Sequence, residues 1–357
     1  MRRRTLLETP MMGGAIDDPS LAPPMAVVFA NKNDESLVIV EGDKWSTSAY
    51  PPEVFEPIGI VVIPGEHGVL KDGTGTVNQC GVMSIVSMSC NTPETGASSE
   101  DTIYWGGFTT DISGKSDSLG RYDSVTNGLL NYQHCVKTYF FTTNEADGYS
   151  SGSYSYIPRQ GSVGGTPTRN KTPYAPSPYI GDDYMSGGYN ESYGLKDGVV
   201  VEETNNALSD FKGIVNTKIL TDLATAQRDW KTASSITNSY NDGYYPAACC
   251  CARYHTLGTK AFKDCTTEEL RNGDGFWYLP AAGELGYIIP RLYDINDIIS
   301  KLNDDYGVGV TLNTNRNFWS SSEYSSLSVY DVSTLEGSVF DSYKYNNFLR
   351  VRAFLRL

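Results

Sequence analysis

The strongest constraint on what this chain folds into is the run Ile58-Gly59-Ile60-Val61-Val62-Ile63, closed by Pro64-Gly65. A continuous β-branched segment bounded by turn residues is what a fully buried strand needs, so a covered sheet is expected around it. Further strands are predicted at 82–88 and at Ile103-Tyr104-Trp105, which is followed by Gly106-Gly107. Helical period then takes over. Ile219, Leu223, Ala226 and Trp230 recur at spacings of four, three and four, which predicts a helix of about four turns. Pro246 is suited to the first position of a second helix, because its missing N–H is not needed there, and 247–254 is apolar nearly all round. Ile295, Ile298, Ile299 and Leu302 mark a third helix starting near Asp294. At the C-terminus Leu349, Val351, Ala353, Leu355 and Leu357 alternate with Arg350, Arg352, Phe354 and Arg356, which predicts a half-buried strand. Strands, then helices, then strands describe an α+β fold in which the last strand is placed to pair with the first.

Residues 1–50 mix Pro, Gly and charge without periodicity and are expected to form an N-terminal arm or attachment segment, leaving 51–357 as one domain. Within that domain, 110–205 is dominated by Gly, Ser, Tyr, Asn and Pro and reads as a loop-rich insertion. Its polarity suits disorder, and its tyrosines equally suit packing against a core.

Composition excludes several functions. A net charge of −14 argues against nucleic acid as a partner, because phosphate contacts need clustered Lys and Arg. No apolar run approaches the roughly 18 residues that span a bilayer, so no membrane insertion is expected. Arg2, Arg3 and Arg4 are followed by Glu8 and Pro10 where an export signal would place its apolar stretch, so no signal peptide is read. The seven cysteines are odd in number and unevenly spaced, which implies buried thiols rather than a disulfide framework. His67, His134 and His255 lack metal-site spacing, and Cys249, Cys250 and Cys251 point three ways if they share a helix. No metal, no cofactor and no catalytic residue is predicted, and the chain is expected not to be an enzyme. By contrast, 25 Tyr and 35 Gly with only 20% charged residues suit a recognition surface, where Tyr gives contact area at low entropy cost.

The most specific text is Gly275-Phe276-Trp277-Tyr278-Leu279-Pro280-Ala281-Ala282-Gly283-Glu284-Leu285, then Phe318-Trp319-Ser320-Ser321-Ser322-Glu323-Tyr324, then Val351-Arg352-Ala353. In order and spacing it resembles the C-type-lectin-like family, which carries a tryptophan, an LP-x-x-x-E-L helix start, a WSS-[ST]-E strand and a closing VR strand. The segment 59–68, Trp105-Gly106 and Tyr245-Pro246-Ala247-Ala248 extend the resemblance over roughly 55–357. It implies a single lectin-like domain in which Trp277, Leu279, Pro280, Glu284, Trp319, Glu323 and Arg352 are structural. Glu284 and Glu323 are expected as buried acceptors for backbone N–H groups or for Arg352. The Glu-Pro-Asn and Trp-Asn-Asp signatures of calcium-dependent sugar binding are absent, as is an EF-hand loop.

Between the last two motifs, 325–348 is filled with Ser, Tyr, Asp, Asn, Val, Leu and Phe, a set reached from asparagine codons by replacing adenines. This resembles the variable region of proteins diversified by retroelements in Bacteroides-type bacteria and their phages, tropism determinants among them. The resemblance makes 315–352 a candidate ligand-binding region. Its candidate contacts are Ser325, Ser328, Tyr330, Val332, Leu335, Phe340, Ser342, Tyr343, Tyr345, Asn346, Asn347 and Phe348. The implied function is a receptor-binding or adhesion protein at a virion or cell surface, such as a phage tail fibre. Its implied partner is a cell-surface protein or glycan, and trimers are implied by analogy. The alternatives are a structural virion or pilus subunit, with the tyrosine-rich tract covered by a neighbouring copy, and an enzyme of the same fold.

Overall fold

The computed structural model describes residues 14–65, 70–71, 77–106, 211–221, 245–323, 328–344 and 349–357, apart from positions 43, 212, 215, 219, 267, 268, 271 and 272. The predicted insertion at 110–205 lies outside the described residues, as do Ile219, Leu223, Ala226 and Trp230.

The apolar run forms β4 (Phe55–Ile63), whose residues from Pro57 onward are all buried. On one side it pairs with β2 (Val27–Asn31), which pairs in turn with β3 (Leu37–Val40), and β3 with the short β1 (Ala15–Ile16). On the other side β4 pairs with β7 (Gly81–Ser84), then come β12 (Phe354–Arg356) and β8 (Trp277–Tyr278). The result is a seven-stranded antiparallel sheet in the order β1-β3-β2-β4-β7-β12-β8. Among the described residues, a two-stranded ribbon, β5 (Leu70–Lys71) with β6 (Val77–Gln79), and a three-stranded sheet supply the remaining strands. The latter joins β9 (Asn317–Glu323), β10 (Ser328–Ser333) and β11 (Ser338–Tyr343) in the order β11-β10-β9. With its helices, the chain is α+β.

The N-terminal segment is not an arm from Gly14 onward. Val27, Val28, Phe29 and Ala30 are fully buried, and Phe29 stacks on Tyr50 at 5.2 Å while Trp45 and Tyr306 close around it at 6.0 and 5.5 Å. The Tyr306 hydroxyl donates to the Tyr50 carbonyl at 2.5 Å. The physical reason is that β4, apolar on both faces, needs a pairing strand on each edge, and β2 supplies one of them.

Among the described residues, three α-helices flank the sheets. Pro246 opens α1 (Pro246–Arg253), all eight residues of which are buried. α2 (Ala282–Gly286) is a single buried turn. α3 (Leu292–Tyr306) begins two residues before Asp294, buries Leu292, Ile295, Ile299 and Leu302, and leaves Ile298 partly covered. It stops at Gly307, whose φ of 71° places it in the left-handed region that glycine tolerates, its N–H donating to the Asn303 carbonyl.

Two expectations about strands need correction. Ile103-Tyr104-Trp105 is not a strand: Ile103 donates its N–H to the Leu349 carbonyl and accepts from the Trp319 indole. The C-terminal strand is neither half-buried nor paired with β4. β12 lies between β7 and β8 with both faces covered, so Arg352 and Arg356 are buried beside the apolar residues.

Candidate functional site

The motif residues converge where α2, the small sheet and the helical residues between 213 and 221 meet. Trp277 and Trp319 are fully buried. The Trp277 indole donates to Thr256 and Thr259 hydroxyls at 3.3 and 3.2 Å, and the Trp319 indole to the Ile103 carbonyl at 2.7 Å. Leu279 is clamped by Thr217, whose hydroxyl accepts the Leu279 N–H at 3.0 Å and donates to its carbonyl at 3.2 Å. The Pro280 carbonyl accepts the Ser321 N–H at 2.7 Å, and the Ser322 hydroxyl accepts the Ala282 N–H at 3.0 Å. The serines of β9 are therefore buried connectors, joining it to the start of α2.

Glu284 is the polar centre of this junction. Fully buried, it accepts the Ala281 N–H on Oε2 at 2.7 Å. Oε1 accepts from the Tyr278 hydroxyl at 3.1 Å and from the Arg356 guanidinium at 2.6 Å. Its cationic partner is Arg356 and not Arg352, because β12 places Arg356 directly over Tyr278, at 3.1 Å from Nε to the hydroxyl. Arg356 also donates to the Phe211 carbonyl at 2.7 Å. Gly213 is required beside the carboxylate: a Cβ there would sit 2.2 Å from Glu284 Oε2. Arg352 instead donates to the Val310 carbonyl at 2.6 Å and lies 3.6 Å from Glu100, with its pKa pushed down by burial to about 10 while Glu100 favours the charged form. Glu323 pairs through its backbone with Val329, and its side chain lies outside the described residues.

The candidate contacts separate into different environments. On the β10–β11 hairpin Leu335, Phe340 and Tyr343 are 61%, 40% and 54% exposed. Ser342 is half-buried. Tyr330 and Val332 are buried, which removes them from any solvent-facing surface. The reason is position in the sheet: β10 is the central strand and is buried from Val329 to Val332 on both faces, with Val332 opposite Val339 in an apolar cross-strand pair and the Tyr330 hydroxyl pKa raised by burial. Register puts Phe340 opposite Asp331 and Tyr343 opposite Ser328, so the two exposed aromatics leave the hairpin on opposite faces of its edge strand. Ser325, Tyr345, Asn346, Asn347 and Phe348 lie outside the described residues, as does the Ser328 side chain.

Two charged groups in the tract carry no mark in the sequence. Asp331 is fully buried and accepts from the Asn317 amide. Burial pushes its carboxyl up to about 6, Asp341 adds to the rise, and hydrogen bonds from Ser342 and Asn317 oppose it. Lys344 is also fully buried, its ammonium 4.9 Å from the centre of the Trp105 ring. Neither burial could be read from alternation, because 329–332 are buried on both faces of the central strand. Among the described residues no group of three or more His, Cys, Asp or Glu side chains is placed to hold a metal ion, and no helix is long and apolar enough to cross a membrane.

No protein-family model matches the chain, and no curated protein matches it. A fimbrial protein from Bacteroides ovatus ATCC 8483, known from its crystal structure, is similar with a TM-score of 0.40 and 14% identity over 93% of this chain and 48% of that one; this chain thus spans about half the length of that protein.

Proposed function

We propose that this protein acts by binding a ligand through the edge and tip of the β10–β11 hairpin, on a C-type-lectin-like scaffold, and that it serves attachment at a virion or cell surface. The observation that carries the reading is the exposure of three large apolar side chains, Leu335, Phe340 and Tyr343, on one hairpin. Exposed apolar groups on a rigid support are what an interface hot spot needs, and the support here is the buried junction of Glu284, Trp319 and the β9 serines. The binding edge is narrower than the whole tract, because Tyr330 and Val332 hold the hairpin together from within. Binding rather than catalysis is favoured because both oxygens of Glu284 already have partners within the fold. The partner class is a cell-surface protein or glycan, bound without a cofactor.

The test replaces Leu335, Phe340 and Tyr343 together by serine in the full chain. Binding is read against a panel of bacterial surface glycans and whole bacterial cells, with far-UV circular dichroism as the fold control. Binding at least about 10-fold weaker with unchanged dichroism is expected. Unchanged binding on both probes rejects the hairpin as the site. A shift from oligomer to monomer in the variant assigns the same side chains to subunit assembly instead. Retroelement diversification is tested separately by sequencing the gene's surroundings for a reverse-transcriptase gene beside a near-copy of codons 315–352 that differs chiefly at adenines. Absence of such a copy rejects diversification and leaves the hairpin proposal to the binding assay.

A further inference from the structure

Cys90 and Cys250 are 160 residues apart in the chain, yet their sulfurs lie 3.5 Å apart in the buried interior. Cys90 follows β7 in the segment leading to Asp101, and Cys250 sits in the middle of α1. Other contacts hold that segment against α1. Arg253 pairs with the Glu94 carboxylate, and the His255 N–H donates to the Glu94 carbonyl at 3.2 Å. Within the segment, Ser89 donates to Asp101 at 2.6 Å and accepts the Asn91 N–H at 3.1 Å, fixing the backbone on both sides of Cys90. Neighbouring thiols do not share the geometry: Cys249 and Cys251 leave the helix about 100° away on either side of Cys250. A sulfur–sulfur bond is about 2.05 Å long, so closure asks for an approach of about 1.5 Å.

We propose that Cys90 and Cys250 form a disulfide when the chain folds in an oxidising environment, with a low-molecular-weight disulfide as the oxidant. One cysteine thiolate attacks a sulfur of the small disulfide, forming a mixed disulfide and expelling one small thiolate. The second cysteine thiolate attacks the protein sulfur of that mixed disulfide, forming the Cys90–Cys250 bond and expelling the other small thiolate. The two cysteine protons pass through solvent to the two small thiolates, and two electrons have reduced the small disulfide to two thiols. Burial raises the Cys250 thiol well above its ordinary range, so its thiolate is scarce once α1 is covered. The bond therefore forms during folding, and after folding it is shielded from reductants. It closes a loop that contains 107–210, which restricts the unfolded chain. Seven cysteines accommodate one such bond, and the bond suits a chain that works outside a reducing cytoplasm. None of this depends on the hairpin binding a ligand.

The test uses the full chain, unfolded with its thiols reduced, then refolded in a buffer of reduced and oxidised glutathione. Thiol titration in denaturant is expected to find two fewer than the seven cysteines of the chain. Proteolysis without reductant is expected to give a linked peptide pair whose fragments place the bond between Cys90 and Cys250. That link disappears in Cys90→Ser and Cys250→Ser and persists in Cys251→Ser. Reduction lowers Tm by about 5 °C or more. Seven free thiols in the refolded chain, or a linked pair that survives Cys90→Ser, overturns the proposal. If a serine variant is insoluble, the peptide map of the unaltered chain decides between the two outcomes.

Discussion

Glu284 has no exposed surface, and its oxygens hold a backbone N–H, a tyrosine hydroxyl and a guanidinium at once. Removing a partner from such a pair leaves an uncompensated buried charge, so Glu284→Ala is expected to destabilise the fold by about 3–5 kcal/mol, read as a drop in the urea midpoint. A loss below about 1 kcal/mol would show that Arg356 finds another partner at little cost. Asp331 acts in the opposite sense. Its folded-state pKa, about 6, lies above the ordinary 3.8, so the folded protein holds a proton that the unfolded chain has released in that window. The stability this gives is full below about pH 4 and is lost as pH rises to about 6. Asp331→Asn is therefore expected to be about 1–2 kcal/mol more stable than the parent at pH 7 and to show less loss between pH 4 and 7. Parallel pH profiles for the two proteins would reject Asp331 as the source. That Glu284 is buried was legible in its aromatic surroundings. Its choice of Arg356 over Arg352 was not, because both arginines share one face of the C-terminal alternation and only the placement of β12 beside β8 selects between them.

At the scale of elements, helix ends and apolar stripes were the most legible features, because they are set by local chemistry. Pro246 opens α1 as read from the sequence, and Gly307, which the sequence reading did not single out, closes α3, both through backbone properties that depend on no distant residue. Nothing lies within 4 Å of the position a Cβ would take at Gly307, so Gly307→Ala isolates the left-handed backbone cost. A loss of about 1 kcal/mol is expected by urea denaturation, and no loss would mean the helix end adjusts freely. The hairpin was legible as a tract and not as a surface. Period two says that side chains alternate, but not which strand is central, and β10, paired on both edges by β9 and β11, is buried at 329–332 on both faces, while the exposed aromatics lie on the edge strand β11.

For the whole molecule, the segment read as an arm is part of the main sheet. A chain of residues 51–357 loses the pairing of β2 with β4 and exposes the buried run of β4 as an unpaired edge. It is expected to be insoluble or aggregated by size-exclusion chromatography; a monodisperse, folded truncation would show that β2 is dispensable.

The sequence by itself determined that the chain has an α+β character, that β4 is a covered strand, where α1 and α3 lie, and that its net charge is −14. These follow from period, local backbone preference and composition, which adjacent residues carry. The tertiary structure alone decided that 15–40 supplies three strands, that Arg352 and Arg356 are buried, and that only part of the tyrosine-rich tract faces solvent. Each of those depends on strand order and register, which are set by which apolar faces cover one another across the fold and leave no mark within a single segment.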